Sequence, residues 1–149
     1  MKVEGNYTFS APREQVWQIL LDPDALARMM PGCESLKRVA DNEYEAVLRI
    51  RVGPVDGTYT GKIVLDDLRP PEHYRMRVNG QGNAGFMQGE GTLDLEEQNG
   101  NTLLKYRGET QVGGRVANVG QRLIGSVATR LINQGLKRLE AELGSHPLG

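Results

Sequence analysis

The stretch "NGQGNAGFMQGEGTLDLEE", residues 79–97, holds a literal GxGxxG string, Gly80-Gln-Gly-Asn-Ala-Gly85, and its reading decides the fold. A phosphate-cradling turn of that form needs a helix to start where the string ends, so that backbone N–H groups and the positive helix end meet the anion. Here "FMQGEGTLDLEE" alternates instead. Met87, Gly89, Gly91, Leu93 and Leu95 fall on one face and Gln88, Glu90, Thr92, Asp94 and Glu96 on the other, which is the period of a strand. The string is a turn between two strands, and a nucleotide site is not expected there.

The same period extends outward from this turn. From Glu34 to Val112 alternation is broken at Asp41-Asn42, Gly53 to Gly57, Pro70-Pro71, Gly80 to Gly85 and Asn99-Gly100-Asn101, which leaves six strands. Connections this short cannot hold the crossover helix that parallel strands need, so the strands form an antiparallel meander. Before them, "VEGNYTF" (3–9) puts Val3, Gly5, Tyr7 and Phe9 on one side, giving a first strand. "SAPREQVWQILLDPDALARMMPG" (10–32) then predicts two short helices, with Ser10 as a cap and Pro12 in the first turn; Asp22-Pro23 restarts the second, and Pro31-Gly32 ends it. After the meander, Arg115 to Leu143 contains no proline and repeats apolar residues at helical spacing, from Val116 and Val119 through Leu123, Ile124, Val127 and Leu131 to Leu139 and Leu143. At about 1.5 Å per residue such a helix runs on the order of 40 Å. The expected architecture is α+β: a seven-stranded antiparallel sheet curved around a long C-terminal helix, with two short helices after strand 1, in one domain over residues 1–149. This is the helix-grip arrangement.

Nineteen glycines in 149 residues need a structural reason. Alternation places several on the concave side of the sheet: Gly61 with Tyr59, Ile63 and Leu65; Gly80 with Tyr74, Met76 and Val78; Gly108 with Leu104, Tyr106, Thr110 and Val112. Glycine lets strands bend and removes volume from the face opposite the helix. Two outcomes remain open, a sheet that is curved and closely packed, or one that encloses an elongated cavity. The lining expected for a cavity is Trp17, Leu26, Met29, Met30, Leu48, Ile50, Tyr59, Met76, Phe86, Met87, Tyr106, Leu123 and Val127. Methionine packs adaptably around irregular shapes, which suits a lipophilic guest.

Charge and cysteine content narrow the function classes. Eighteen basic and nineteen acidic residues give a net charge of −1, so nothing in the balance asks for nucleic acid. A single cysteine, Cys33, excludes a disulfide framework within the chain and any multi-cysteine metal site, and the start "MKVEGNYTF" lacks a signal-peptide core, so a cytoplasmic setting is expected. No stretch approaches the roughly 20 apolar residues that span a bilayer, which leaves peripheral contact at the inner face of the membrane. Cys33 reads as a small buried thiol, and His73 and His146 as surface residues without a sequence pattern for metal or catalysis. No catalytic or metal-ligating residues are expected. On the long helix, Arg115, Arg122, Arg130 and Lys137 fall within about a quarter of the circumference, a basic stripe that is either a solvated face or a docking surface for anionic lipid headgroups or an acidic partner.

Taken together, "DPDAL" (22–26), "PGCESL" (31–36), "VGPVDGTYTGKI" (52–63), "RPPEHY" (69–74), "GQGNAGF" (80–86) and "VGGRVANVGQRLI" (112–124) resemble the carbon monoxide dehydrogenase subunit family called CoxG, of the START-like (SRPBCC, Bet v 1-like) helix-grip superfamily. The most specific pieces are Pro31-Gly32-Cys33-Glu34, Gly53-Pro54-Val55 with Gly57 and Gly61, and Gly113-Gly114 with Gly120-Gln121-Arg122. The resemblance implies a non-catalytic accessory protein linked to molybdenum-containing carbon monoxide dehydrogenases, helping them meet the membrane and its quinone pool. The superfamily implies a lipid, quinone, sterol or polyketide in the groove between sheet and helix, with no covalent cofactor. Some family members carry a further C-terminal segment as an anchor; this sequence ends at "ELGSHPLG" (142–149). Related folds also include cyclases and hydrolases, so a small enzyme acting on a hydrophobic substrate is the second reading, and an interaction module with a filled core the third.

Overall fold

A computed structural model describes residues 1–51 and 56–145, so Gly53-Pro54-Val55 and His146 lie outside the described residues. The chain runs β1 (Lys2–Phe9), α1 (Arg13–Leu20), α2 (Pro23–Met29), β2 (Cys33–Ala40), β3 (Glu43–Ile50), β4 (Gly57–Arg69), β5 (His73–Gly82), β6 (Gly85–Gln98), β7 (Asn101–Gly113), a 3-10 turn (Arg115–Val119) and α3 (Gln121–Ser145). All neighbours pair antiparallel in the order β1-β7-β6-β5-β4-β3-β2. The glycine string is a tight turn at Asn83–Ala84 between β5 and β6, with Gly82 opposite Gly85. No helix follows it. Alternation along β1, β4, β5 and β7 appears directly as alternating exposure and burial.

The helices differ from expectation in two places. Pro12, not Ser10, occupies the N-cap of α1 in extended backbone, and no side chain caps that end. Ser10 lies too early in the chain to reach it, and its amide instead donates to Glu140 Oε1 at 3.3 Å. The second helix starts as expected, with Asp22 Oδ1 accepting from the Asp24 amide at 3.0 Å. The long helix begins at Gln121 rather than Arg115. Gly114 and Gly120 hold φ at +82° and +93°, which interrupts any continuous right-handed helix and leaves Arg115–Val119 as a separate 3-10 turn. The remaining 25 residues of α3 still run about 37 Å.

Two apolar clusters result, at opposite ends of the molecule. The larger joins Phe9, Val16, Trp17, Leu104 and Leu139 with residues of α1, α2 and the strand ends beneath them. Thr102 is fully buried beside it, donating from Oγ1 to the Ala11 carbonyl at 2.7 Å, and Trp17 meets Tyr74 at a ring separation of 5.6 Å. Arg28 binds both carboxylate oxygens of Glu142, at 2.6 and 3.2 Å, and so fastens α2 to α3. The smaller cluster has, among the described residues, Val116 and Val127 fully inside, with Ile50, Ala84, Val112, Val119 and Leu131 packed around them.

Candidate functional site: the concave face between the two clusters

Between these clusters lie the half-buried inner positions of β3 to β6. The glycines there are not spacers for a closely packed helix. Among the described residues, a Cβ added at Gly61 would meet only the Asn79 carbonyl oxygen at 3.5 Å and Gly80 Cα at 3.9 Å, and one at Gly80 only the Thr60 oxygen at 3.8 Å. Both sets of contacts are backbone of the adjoining strand, and no described atom of α3 comes within 4 Å of either position. Gly91 and Gly5 do something else. A Cβ on Gly91 would stand 2.5 Å from the Arg107 carbonyl oxygen, and one on Gly5 would collide with the Tyr106 ring that lies across it. Close strand approach therefore explains some glycines and leaves Gly61 and Gly80 facing space.

The thirteen residues expected to line a cavity separate into groups. Trp17, Met29, Met76 and Tyr106 belong to the larger cluster, and Ile50 and Val127 to the smaller. Leu26, Met30, Leu48 and Tyr59 are half-buried and join neither cluster, while Met87 and Leu123 are 37% and 39% exposed. Val78, set between Met76 and Gly80 on the same inner face of β5, belongs beside this middle group and is missing from the expected lining. Its place in the β5 alternation is sufficient to include it.

Phe86 is a correction. It stands one residue from Met87 and therefore on the opposite face of β6, 48% exposed, with its ring over Gly113. There it borders a depression of about 790 Å³ whose lining includes Thr60, Lys62, Asn79, Gln81 and Gln88 of the polar outer face, together with Ala46, Gly61, Gly80 and Met87. That depression is an open saddle on the wrong side for an apolar guest. A second hollow of about 520 Å³ is likewise on the outer face, among Lys2, Glu4, Arg75, Glu90 and Arg107.

The polar groups near the concave face are phenols. Burial pushes the Tyr59 and Tyr106 hydroxyls up, Tyr59 further because of the Asp56 charge, so both remain hydrogen-bond donors across the physiological range. The Cys33 thiol, half-buried and donating to the Ser35 carbonyl at 3.3 Å, is also pushed up by burial, which keeps it protonated and a poor nucleophile. His73 is not a surface residue: its side chain is 12% exposed, with Nδ1 2.7 Å from Asp94 Oδ1 and Nε2 3.2 Å from Asp67 Oδ2. The cross-strand register that puts His73 opposite Asp94 produces this clamp. Among the described residues no three His, Cys, Asp or Glu side chains assemble as a metal site.

The basic stripe is also revised. Arg115 lies in the 3-10 turn and donates from Nη2 to the Asn83 carbonyl at 2.9 Å, so it is not on the helix. Arg122, Arg130 and Lys137 remain on one exposed face of α3, and among the described residues no carboxylate pairs with them. No described helix is long and apolar enough to cross a membrane.

Solved structures with this fold are numerous. A conserved protein from Geobacillus kaustophilus is 36% identical, with a TM-score of 0.94 over 97% of this chain and 96% of its own. A START superfamily protein from Mycobacterium smegmatis superposes with a TM-score of 0.75 at 14% identity, covering 97% of each chain, and a protein from Thermus thermophilus with 0.74 at 18%, covering 97% and 98%. The last two show the fold alone. Among curated proteins nothing matches. A family model for the carbon monoxide dehydrogenase subunit known as CoxG matches residues 5–144, nearly the whole chain, and with the START-like helix-grip architecture around it the protein belongs to the CoxG family.

Proposed function

We propose that this protein is a non-catalytic carrier that holds a quinone or lipid between the concave sheet face and α3, and serves as accessory or membrane adaptor to a molybdenum oxidoreductase of the carbon monoxide dehydrogenase type. The observation that carries the reading is the pair Gly61 and Gly80, whose inward sides meet no side chain among the described residues, set among half-buried Leu48, Tyr59 and Val78. Apolar surface left half-wet at the centre of a sheet is unfavourable by about 25 cal/mol per Å² and gains that energy when a lipophilic guest covers it. Tyr59 and Tyr106 supply neutral donors suited to a quinone or ester carbonyl. The same donors titrate too high to serve as general bases near neutral pH, which favours binding over chemistry. Family membership supports the link to the oxidoreductase.

Native mass spectrometry of protein isolated from its own cells, followed by organic extraction, tests the reading. A quinone or lipid at near-stoichiometric amount is expected. Protein that carries no lipophile and takes up no quinone from solution refutes it.

A further inference from the structure

The charge along the molecule is uneven in a way that its near-zero total conceals. The turns at one end, joining β2 to β3, β4 to β5 and β6 to β7, contain or adjoin Asp41, Asp67, Glu72 and Glu96, each in an ion pair, with Arg38, Arg69, Arg13 and Lys105 respectively. At the other end stand the Asn83–Ala84 turn, the Arg115–Val119 turn and the first turn of α3. Arg49 there is matched by Asp56 at 3.0 Å, whereas Arg51, Arg115 and Arg122 have no carboxylate partner among the described residues. Of the four exposed large apolar side chains among the described residues, Phe86, Met87 and Leu123 stand at this end, and Val39 stands alone at the other.

We propose that this end, and not the side of α3, is the face that meets an anionic lipid bilayer; the proposal rests on the carrier reading above and adds the orientation in which a guest is exchanged. Cations beside apolar side chains match the two layers of a bilayer surface, headgroup charge and the acyl boundary beneath it. The lateral stripe of Arg130 and Lys137 lacks the second part, because its neighbours Ser126, Asn133 and Gln134 are polar. A docked end would present the Leu123 turn and the rim of the concave face to the lipid, so a guest passes without crossing water.

Flotation with phosphatidylcholine vesicles, with and without 30% phosphatidylglycerol, tests the orientation in the full chain. Binding is expected only to the anionic vesicles. Arg51→Glu with Arg122→Glu should lower the partition by on the order of tenfold or more, as each basic side chain near such a surface contributes a several-fold factor. Leu123→Ser should lower it a few-fold, and Arg130→Glu with Lys137→Glu should leave it within about twofold. Equal binding to neutral vesicles, no binding to either, or loss through the lateral pair alone would overturn the proposal. Circular dichroism of each variant guards against misfolding, since none of the four basic residues has an ion-pair partner to lose among the described residues. Quinone uptake measured on the same samples separates the two readings: uptake without vesicle binding removes the docking end alone, and vesicle binding without uptake removes the carrier.

Discussion

The two ends of this sheet are made from the same alternating pattern, yet one is packed and the other is half-wet. At the packed end Phe9, Val16, Leu104 and Leu139 have essentially no exposure, and α1, α2 and the C-terminal half of α3 close over them. At the open end, among the described residues, Val116 and Val127 reach the buried state, and Leu123 on the first turn of α3 is 39% exposed. Alternation decides which face a side chain is on; whether that face is covered depends on what lies across from it. The contrast lies in the covering elements, since α1, α2 and the C-terminal half of α3 seal one end and no described element seals the other to the same degree.

Substitutions can break this contrast. Phe9→Ala should cost about 3–5 kcal/mol, and Leu139→Ala about 2–5 kcal/mol, in urea unfolding. Val127→Ala at the open end removes two methyl groups and should cost only about 1–2 kcal/mol; a loss as large as that of Leu139→Ala would mean the two ends are equally packed. Thr102→Val sharpens the contrast, because it strands the buried Ala11 carbonyl and should cost about 1–2 kcal/mol by the same measurement. Gly80→Leu should move stability by no more than about 1 kcal/mol, since a Cβ has room there, while quinone uptake falls at least about tenfold. Unchanged uptake in that variant would mean the guest does not lie over β5.

The smallest effect concerns pH. Arg75 hydrogen-bonds Asp66 at 2.8 Å and Arg77 does so at 2.9 Å, and these guanidinium groups hold its carboxyl below the ordinary 3.8. A carboxyl depressed in the folded state adds stability that is present above its unfolded pKa and disappears as pH falls through the folded value. Stability should therefore decline below about pH 4, and Asp66→Asn should make that decline shallower; an identical acid limb in the variant would show that Asp66 is not responsible.

The strands are legible in the sequence because period two survives every local detail, and the turn at Asn83–Ala84 follows from the alternation on either side of it. The start of α3 is not legible. Val116 and Val119 have a spacing that a 3-10 turn and an α-helix share, and the break lies in the backbone of Gly120, which no hydrophobic pattern records. His73 defeats a sequence reading for a different reason: its burial depends on carboxylates from β4 and β6, the latter brought beside it by register over about twenty residues of chain. Phe86, in contrast, is legible, since one step along a strand changes face, and counting from Met87 places it outside. For the site, the sequence pattern identifies the inward residues but cannot separate those that α1 and α2 cover from those that no described element covers.

Trp17 is the sole tryptophan, and it sits against Tyr74 inside the packed end. Its fluorescence therefore reports the melting of one end and is silent about the other. A thermal or denaturant curve followed by that signal would look like a single sharp transition even while the half-wet end opened and closed beneath it. Motion at the half-wet end becomes visible only to a probe placed there, such as an indole at Leu123 or amide exchange along the first turns of α3.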